Sequence, residues 1–244
     1  MFKIFYAEKD ATLYEQTPTY NYGLDEILEI GKQLDTEGST YLKSRSVVKF
    51  DMAEISASLS KYGKTVNDCK FMLQLYTSHA KNLSSEYDVF AKLVAQNWIN
   101  GTGALSGVTI DGASWTGPLS GSSWISSSQN VQIGTSTLYT SGSSTGGGAW
   151  MFQSASASSS LGLITSESFS YRTTDINMDV TNAVKIWISG SGGASIPNYG
   201  FLLQFSDAYE ASGSLAGYIR YFSRETHTIY VPRLTMYWDN STFT

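Results

Sequence analysis

Apolar residues recur at every second position through much of the chain. Cys69, Phe71, Leu73 and Leu75 alternate with more polar neighbours, as do Tyr87, Val89, Ala91, Leu93 and Ala95. Arg45 to Met52 sets Val48, Phe50 and Met52 on one face, opposite Val47, Lys49 and Asp51, and Ile27-Leu28-Glu29-Ile30 is a short apolar run closed by Gly31. The alternation returns late, in Phe201, Leu203 and Phe205, in Ile219 and Tyr221, and in Leu234, Met236 and Trp238. Period two with a polar opposite face predicts half-buried antiparallel strands. One stretch has a different period. Val180, Val184, Trp187 and Ile188 fall at helical spacing, with Asp179 placed to cap the start and Gly190, Gly192 and Gly193 to end it. It predicts one short α-helix near residues 180–188. About ten strands, one helix and many Gly/Ser turns describe an all-β chain, an antiparallel β-sandwich of jelly-roll type forming a single domain.

The pattern weakens between residues 101 and 165, where composition changes abruptly. Ser, Thr and Gly fill 37 of those 65 positions, and Asp111 is the single charged residue. The charged fraction of the whole chain is 15%, and this segment accounts for the deficit. It also holds Trp115, Trp124, Trp150 and Phe152, with apolar patches at Val108-Thr109-Ile110 and Val131-Gln132-Ile133. Such residues favour an ordered insertion of short strands and long polar turns over a flexible linker. A formal net charge of −5 argues against a phosphate-backbone partner, because nucleic-acid-binding domains usually carry a basic surplus. No run of 18 apolar residues occurs, so no membrane-spanning helix is expected. The first ten residues lack a long apolar stretch and include Glu8 and Asp10, unlike a secretory signal peptide, so a chain that stays in the cytoplasm is expected.

Chemistry finds few footholds. Cys69 is the only cysteine and lies on the apolar face of its strand, which suits a small buried hydrophobe. His79 and His227 are far apart among polar neighbours. Gly142-Ser143-Ser144-Thr145-Gly146 has the spacing of a nucleophile elbow but sits in a low-complexity run without a following helix pattern. Asp175, Asn177 and Asp179 present alternate oxygen donors that could hold Ca²⁺, yet Val180 stands where an EF-hand loop requires Gly. Structural use of these side chains is the stronger reading, and neither a metal nor another cofactor is expected. Trp115, Trp124 and Trp150, set among polar residues, are the candidates for stacking on a sugar or a partner; the competing reading makes them anchors of weak strands.

Several blocks, in order, resemble the DNRLRE-type β-sandwich domain, a jelly roll similar to carbohydrate-binding modules. They are Asp10-Ala11-Thr12-Leu13-Tyr14 with Asn21-Tyr22-Gly23 and Leu28-Glu29-Ile30-Gly31, Arg45 to Asp51, Leu73-Gln74-Leu75-Tyr76 with Trp98, Asp179 to Val184 with Trp187, Asn198 to Leu203, and Phe222-Ser223-Arg224-Glu225 with Pro232-Arg233-Leu234. The 101–165 insertion is longer and richer in Ser and Gly than the family pattern. A charge-poor, free-standing sandwich with such an insertion is also similar to bacteriophage virion proteins. The resemblance implies a non-enzymatic structural component of a tailed-phage particle, in the neck, tail, baseplate or head decoration. Its partners would be other virion proteins or copies of itself. The alternative it implies is a carbohydrate-binding or adhesion module recognising a cell-surface glycan.

Overall fold

The computed structural model describes residues 1–126, 130–133, 136–142, 145–153, 161–170, 174–189 and 196–239. The glycines at 190, 192 and 193 and the serines at 143 and 144 lie outside these residues. Two antiparallel sheets form the body. The smaller has the order β1 (Phe2–Tyr6), β15 (Arg233–Trp238), β5 (Cys69–Leu75), β12 (Ile176–Asp179). Its inner face is the row predicted by the alternation: Leu234 pairs with Leu73, Met236 with Phe71, Trp238 with Cys69, and Ile176 with Leu75, all buried.

The larger sheet curls into a half-barrel. Its path runs β11 (Ile164–Ser170), β7 (Glu86–Leu93), β13 (Phe201–Phe205), β4 (Tyr41–Lys49), β3 (Ile27–Leu34), β14 (Gly217–Phe222), β6 (Thr77–Lys81), with β2 (Lys9–Tyr14) also paired to β4. The curl has a local cause. β4 pairs with β3 through residues 41–44 and with β2 through residues 44–49. Where β3 leaves β4, the Glu29 N–H donates to Thr12 Oγ1 at 3.0 Å and the Glu29 carbonyl accepts from Ser46 Oγ at 2.9 Å. Side-chain hydroxyls satisfy the backbone groups that a flat ladder would otherwise pair.

The all-β antiparallel sandwich is therefore as predicted, but it carries three α-helices among the described residues instead of one. The predicted helix is present as α2 (Thr181–Ser189), buried through Val184 and Trp187. The strand expected to run on to Met52 ends at Lys49, because Asp51 caps α1 (Met52–Lys61): its carboxylate accepts the Ala53 N–H at 2.7 Å. Ile55 and Leu59, one turn apart, supply the buried stripe. The third helix, α3 (Asp207–Ala211), is a single capped turn after β13.

The opposite face of the larger sheet is not solvated as simple alternation predicts. Consecutive residues Ser44 to Val48 are all buried, and so is every residue of β13. Part of the insertion covers them. Its strands β8 (Asn130–Ile133), β9 (Ser136–Gly142) and β10 (Ala149–Gln153) form a separate three-stranded sheet, and Trp150 bridges to Val94 just beyond β7. After the insertion, β11 begins at Ile164 and belongs to the main sheet.

Candidate functional site

Three buried cations reach outward from the half-barrel and grip one short segment. Arg45 donates through Nε and a terminal nitrogen to the two carboxylate oxygens of Glu210, at 3.1 and 2.6 Å, and to the Gly147 carbonyl at 2.6 Å. Lys92 meets Asp207 at 2.8 Å. Lys32 donates to the Tyr209 and Ser212 carbonyls, and burial lowers its pKa. All the acceptors on residues 207–212 belong to α3 or the residue just past it. Lys32, Arg45 and Lys92 are spent on architecture.

The predicted contact tryptophans belong to this layer. Trp115 is 3% exposed and Trp124 is 4% exposed. Trp124 Nε1 donates to the Ser114 carbonyl at 3.0 Å. The Arg45 guanidinium lies 5.3 Å from the Trp115 ring and 5.6 Å from that of half-buried Trp150, and Lys92 Nζ sits 4.2 Å over Trp150. The indoles meet protein cations, as buried aromatics often do. Trp115 and Trp124 present no face to a sugar, and Trp150 already has a cation on one. The anchoring reading replaces the contact reading for the first two.

The oxygen donors at 175–179 are also engaged. Asp175 accepts the Thr77 N–H at 2.7 Å, Asn177 accepts from Gln74 at 3.1 Å, and Asp179 accepts the Thr181 N–H at 3.0 Å while lying 3.4 Å from Lys70. Among the described residues, no group of three or more His, Cys, Asp and Glu is placed to hold a metal ion. No helix among them is long and apolar enough to cross a membrane.

A second cluster ties distant sequence blocks together. Asp10, wholly buried, accepts the Arg224 N–H at 2.7 Å, and its own N–H donates to Asn100 Oδ1 at 3.1 Å. Asn100 in turn donates to the Gly23 carbonyl at 2.7 Å. Burial lifts the Asp10 carboxyl to about 7, against the pull of the Arg224 N–H. Beside it, burial and the neighbouring Lys49 lower the Lys9 ammonium to about 8; that ammonium sits 4.2 Å over the Trp98 ring. Asp10 and Trp98 are buried, Lys9 and Asn100 are partly buried, and every contact named here is made within the chain, so the group serves the fold.

Two features face outward. One is a half-open cleft of about 370 Å³ between the end of β2, the β3–β4 hairpin and β14. Tyr14 and Tyr22 line it edge to face at 4.7 Å, with Gln16, Gln33, Lys43 and Arg220 around them and Leu105 of the insertion at the rim. At its floor Glu29 accepts from Ser44 Oγ (2.8 Å), Gln33 Nε2 (3.0 Å) and Arg220 Nε (2.8 Å). Among the described residues of the lining it is the one carboxylate. Sequence reading missed the cleft because its residues come from four separate segments. Tyr14, Tyr22 and Glu29 stand in the first of the sequence blocks singled out above.

The other feature is the free edge of the smaller sheet. Phe2 is 63% exposed and Tyr6 56%, with Met1 and Tyr237 also exposed. Phe2 and Tyr237 lie opposite each other across the strands, ring centroids 6.2 Å apart. Apolar rings side by side on an open sheet face are uncommon on a monomer's surface and mark contact sites. No protein-family model matches the chain, and no curated protein matches it.

Proposed function

We propose that this chain is a non-enzymatic structural component of a tailed-phage particle, sited in its neck, tail, baseplate or head decoration and acting through protein–protein contacts. One observation carries the reading: an open-edged sheet presents exposed Phe2, Tyr6 and Tyr237 to the outside. Aromatic residues are enriched in the cores of protein interfaces. The disposition of charge supports a scaffold. Arg45, Lys92 and Glu210 are buried and paired within the chain, and the one acid in the open cleft is fully hydrogen-bonded. The charge-poor sandwich with its Ser/Gly/Thr-rich insertion, similar to bacteriophage virion proteins, supplies the particle context. The test is purification of intact particles from an infected culture. The reading expects the chain there at fixed stoichiometry after density-gradient separation and salt washing; its absence from washed particles refutes it.

A second reading has its own support in the cleft. Two tyrosine rings, carboxamides and a fixed Glu29–Arg220 pair are the groups that hold a neutral saccharide by stacking and hydrogen bonding. On this reading the chain is a glycan-recognition module of the same particle. A glycan array probed with the wild type and with Tyr22→Ala tests it. Binding lost in that variant supports the cleft, and no binding by the wild type removes the reading.

A further inference from the structure

We infer that β1 pairs with β1 of a second copy of this chain, antiparallel about a two-fold axis at Ile4, joining two four-stranded sheets into one. The inference rests on the assembly reading above and names the partner for it.

Strand parity settles which backbone groups are open. Met1 and Trp238 exchange both backbone bonds, at 2.8 and 3.1 Å. Hydrogen-bonded pairs alternate along an antiparallel ladder, so Lys3–Met236 and Phe5–Leu234 are the next ones. The N–H and C=O groups of Phe2, Ile4 and Tyr6 therefore point away from β15, along the free edge. The side chains of the same three residues lie on the outer face, since Phe5 on the other parity is in the core.

This edge carries none of the usual protections against strand addition. It has no proline and no bulge. Its one charge, Lys3, lies on the Phe5 face, 3.5 Å from Glu54 of α1. The other described edges of the two large sheets differ. At β12 the outward Asn177 N–H is taken by the Glu167 carboxylate at 2.8 Å. The edge strand β11 carries Glu167 itself, and β6 carries His79 and Lys81 with a register shift in its pairing. Only β1 is bare.

The sequence of β1 suits a copy of itself. Centred on Ile4, the pairing sets Phe2 against Tyr6 of the second copy, Ile4 against Ile4, and Tyr6 against Phe2. All three outward residues then exchange both bonds, about six in total. Shifting the register by two residues either way leaves Phe2 or Tyr6 without a partner. Lys3 meets Phe5 of the other copy instead of another lysine, so no like charges oppose, and Lys3 already lies 5.5 Å from its own Phe5 ring. On the outer face Tyr237, Phe2 and Tyr6 of the second copy form one continuous aromatic row. An isologous contact of this kind closes on itself and yields a dimer, the commonest symmetric assembly.

The test is the mass of the full chain by light scattering across a dilution series, with an Ile4→Cys variant oxidised in parallel. The wild type is expected at twice the chain mass. Paired Ile4 Cα atoms would stand about 5.5 Å apart, within disulfide reach, so Ile4→Cys should cross-link to a dimer. Lys3→Cys, which opposes Phe5, should not, nor should the buried Cys69 of the wild type. Ile4→Pro removes the central outward N–H and should give a folded monomer, checked by circular dichroism; if it fails to fold, the cysteine pair decides. A monomer at every concentration overturns the inference. So does a dimer that persists in Ile4→Pro and does not cross-link through Ile4→Cys. A monomer still present in washed particles sinks the self-pairing and leaves the assembly reading, whereas a dimer absent from particles does the reverse.

Discussion

Arg45 and Glu210, 165 residues apart in sequence, form a two-pronged buried ion pair at 2.6 and 3.1 Å. It pins α3 to the half-barrel, and Arg45 also holds the insertion through the Gly147 carbonyl. Removing one partner of such a pair leaves an uncompensated buried charge, whose cost is about 3–5 kcal/mol. Glu210→Ala is expected to lose that much in chemical denaturation. Replacing both residues together, Arg45→Met with Glu210→Leu, should recover much of the loss, because two apolar side chains leave no stranded charge. A double replacement as unstable as the single one would contradict this account.

The Asp10 carboxyl sets a pH dependence of the opposite sense to an ordinary paired acid. Burial raises it from 3.8 to about 7 in the folded chain. The folded state thus holds the proton more tightly than the unfolded one. Its contribution is fully present below about pH 4 and is lost as pH rises through about 7. Full linkage over that window amounts to about 4 kcal/mol. Asn can still accept the Arg224 N–H without ionising. Asp10→Asn should therefore melt close to the wild type at pH 4.5 and clearly above it at pH 8. Parallel melting curves at the two pH values, with no convergence, would show that Asp10 does not titrate as described.

The strands were legible where one face alone is buried. Phe71, Leu73 and Leu75 announce β5 because their neighbours Lys70, Met72 and Gln74 remain partly or wholly exposed. The pattern fails in β4 and β13, where the insertion covers the second face and polar Ser46 and Gln204 are as buried as Val48 and Leu203. Helix α1 was legible and overlooked: Asp51-x-x-Glu54 ahead of Ile55 and Leu59 is a start signal that the preceding alternation outweighed. The candidate site shows the reverse failing. Trp115, Trp124 and Trp150 looked exposed because their sequence neighbours are polar, but Trp115 and Trp150 lie against the distant Arg45, Trp150 also against Lys92, and Trp124 is buried with its Nε1 on the Ser114 carbonyl. Local polarity says nothing about long-range cover.

Trp124 gives that correction a measurable form. Its ring is buried and its Nε1 is bonded to the Ser114 carbonyl. Trp124→Ala should destabilise the chain by about 3–5 kcal/mol, the usual cost of deleting a large buried aromatic. Glycan binding per folded molecule should be unchanged, if the wild type binds at all. A variant that keeps full stability while losing ligand would restore the contact reading for this residue.

Asn21 is the last anchor, and it tests how the insertion is held. Its carboxamide makes four bonds in full burial. Nδ2 donates to the Asn100 and Ala113 carbonyls at 2.7 and 2.8 Å, and Oδ1 accepts the Gly23 and Gly103 N–H groups at 3.1 and 2.9 Å. The chain crowds so closely here that a Cβ on Gly101, where φ is +76°, would come within 2.2 Å of Asn21 Oδ1. Asn21→Asp keeps the shape but turns two donors into an acceptor facing two carbonyls. Each stranded buried group costs about 1–3 kcal/mol, so the loss should exceed about 2 kcal/mol at neutral pH. Protonation restores one donor and removes the charge. The variant carboxyl is thus held protonated by the fold, and its deficit should shrink as pH falls toward 4. Limited proteolysis should cut first within residues 100–113 while the two large sheets stay protected. Uniform cleavage throughout, or a deficit that grows on acidification, would show that Asn21 does not hold the insertion in this way.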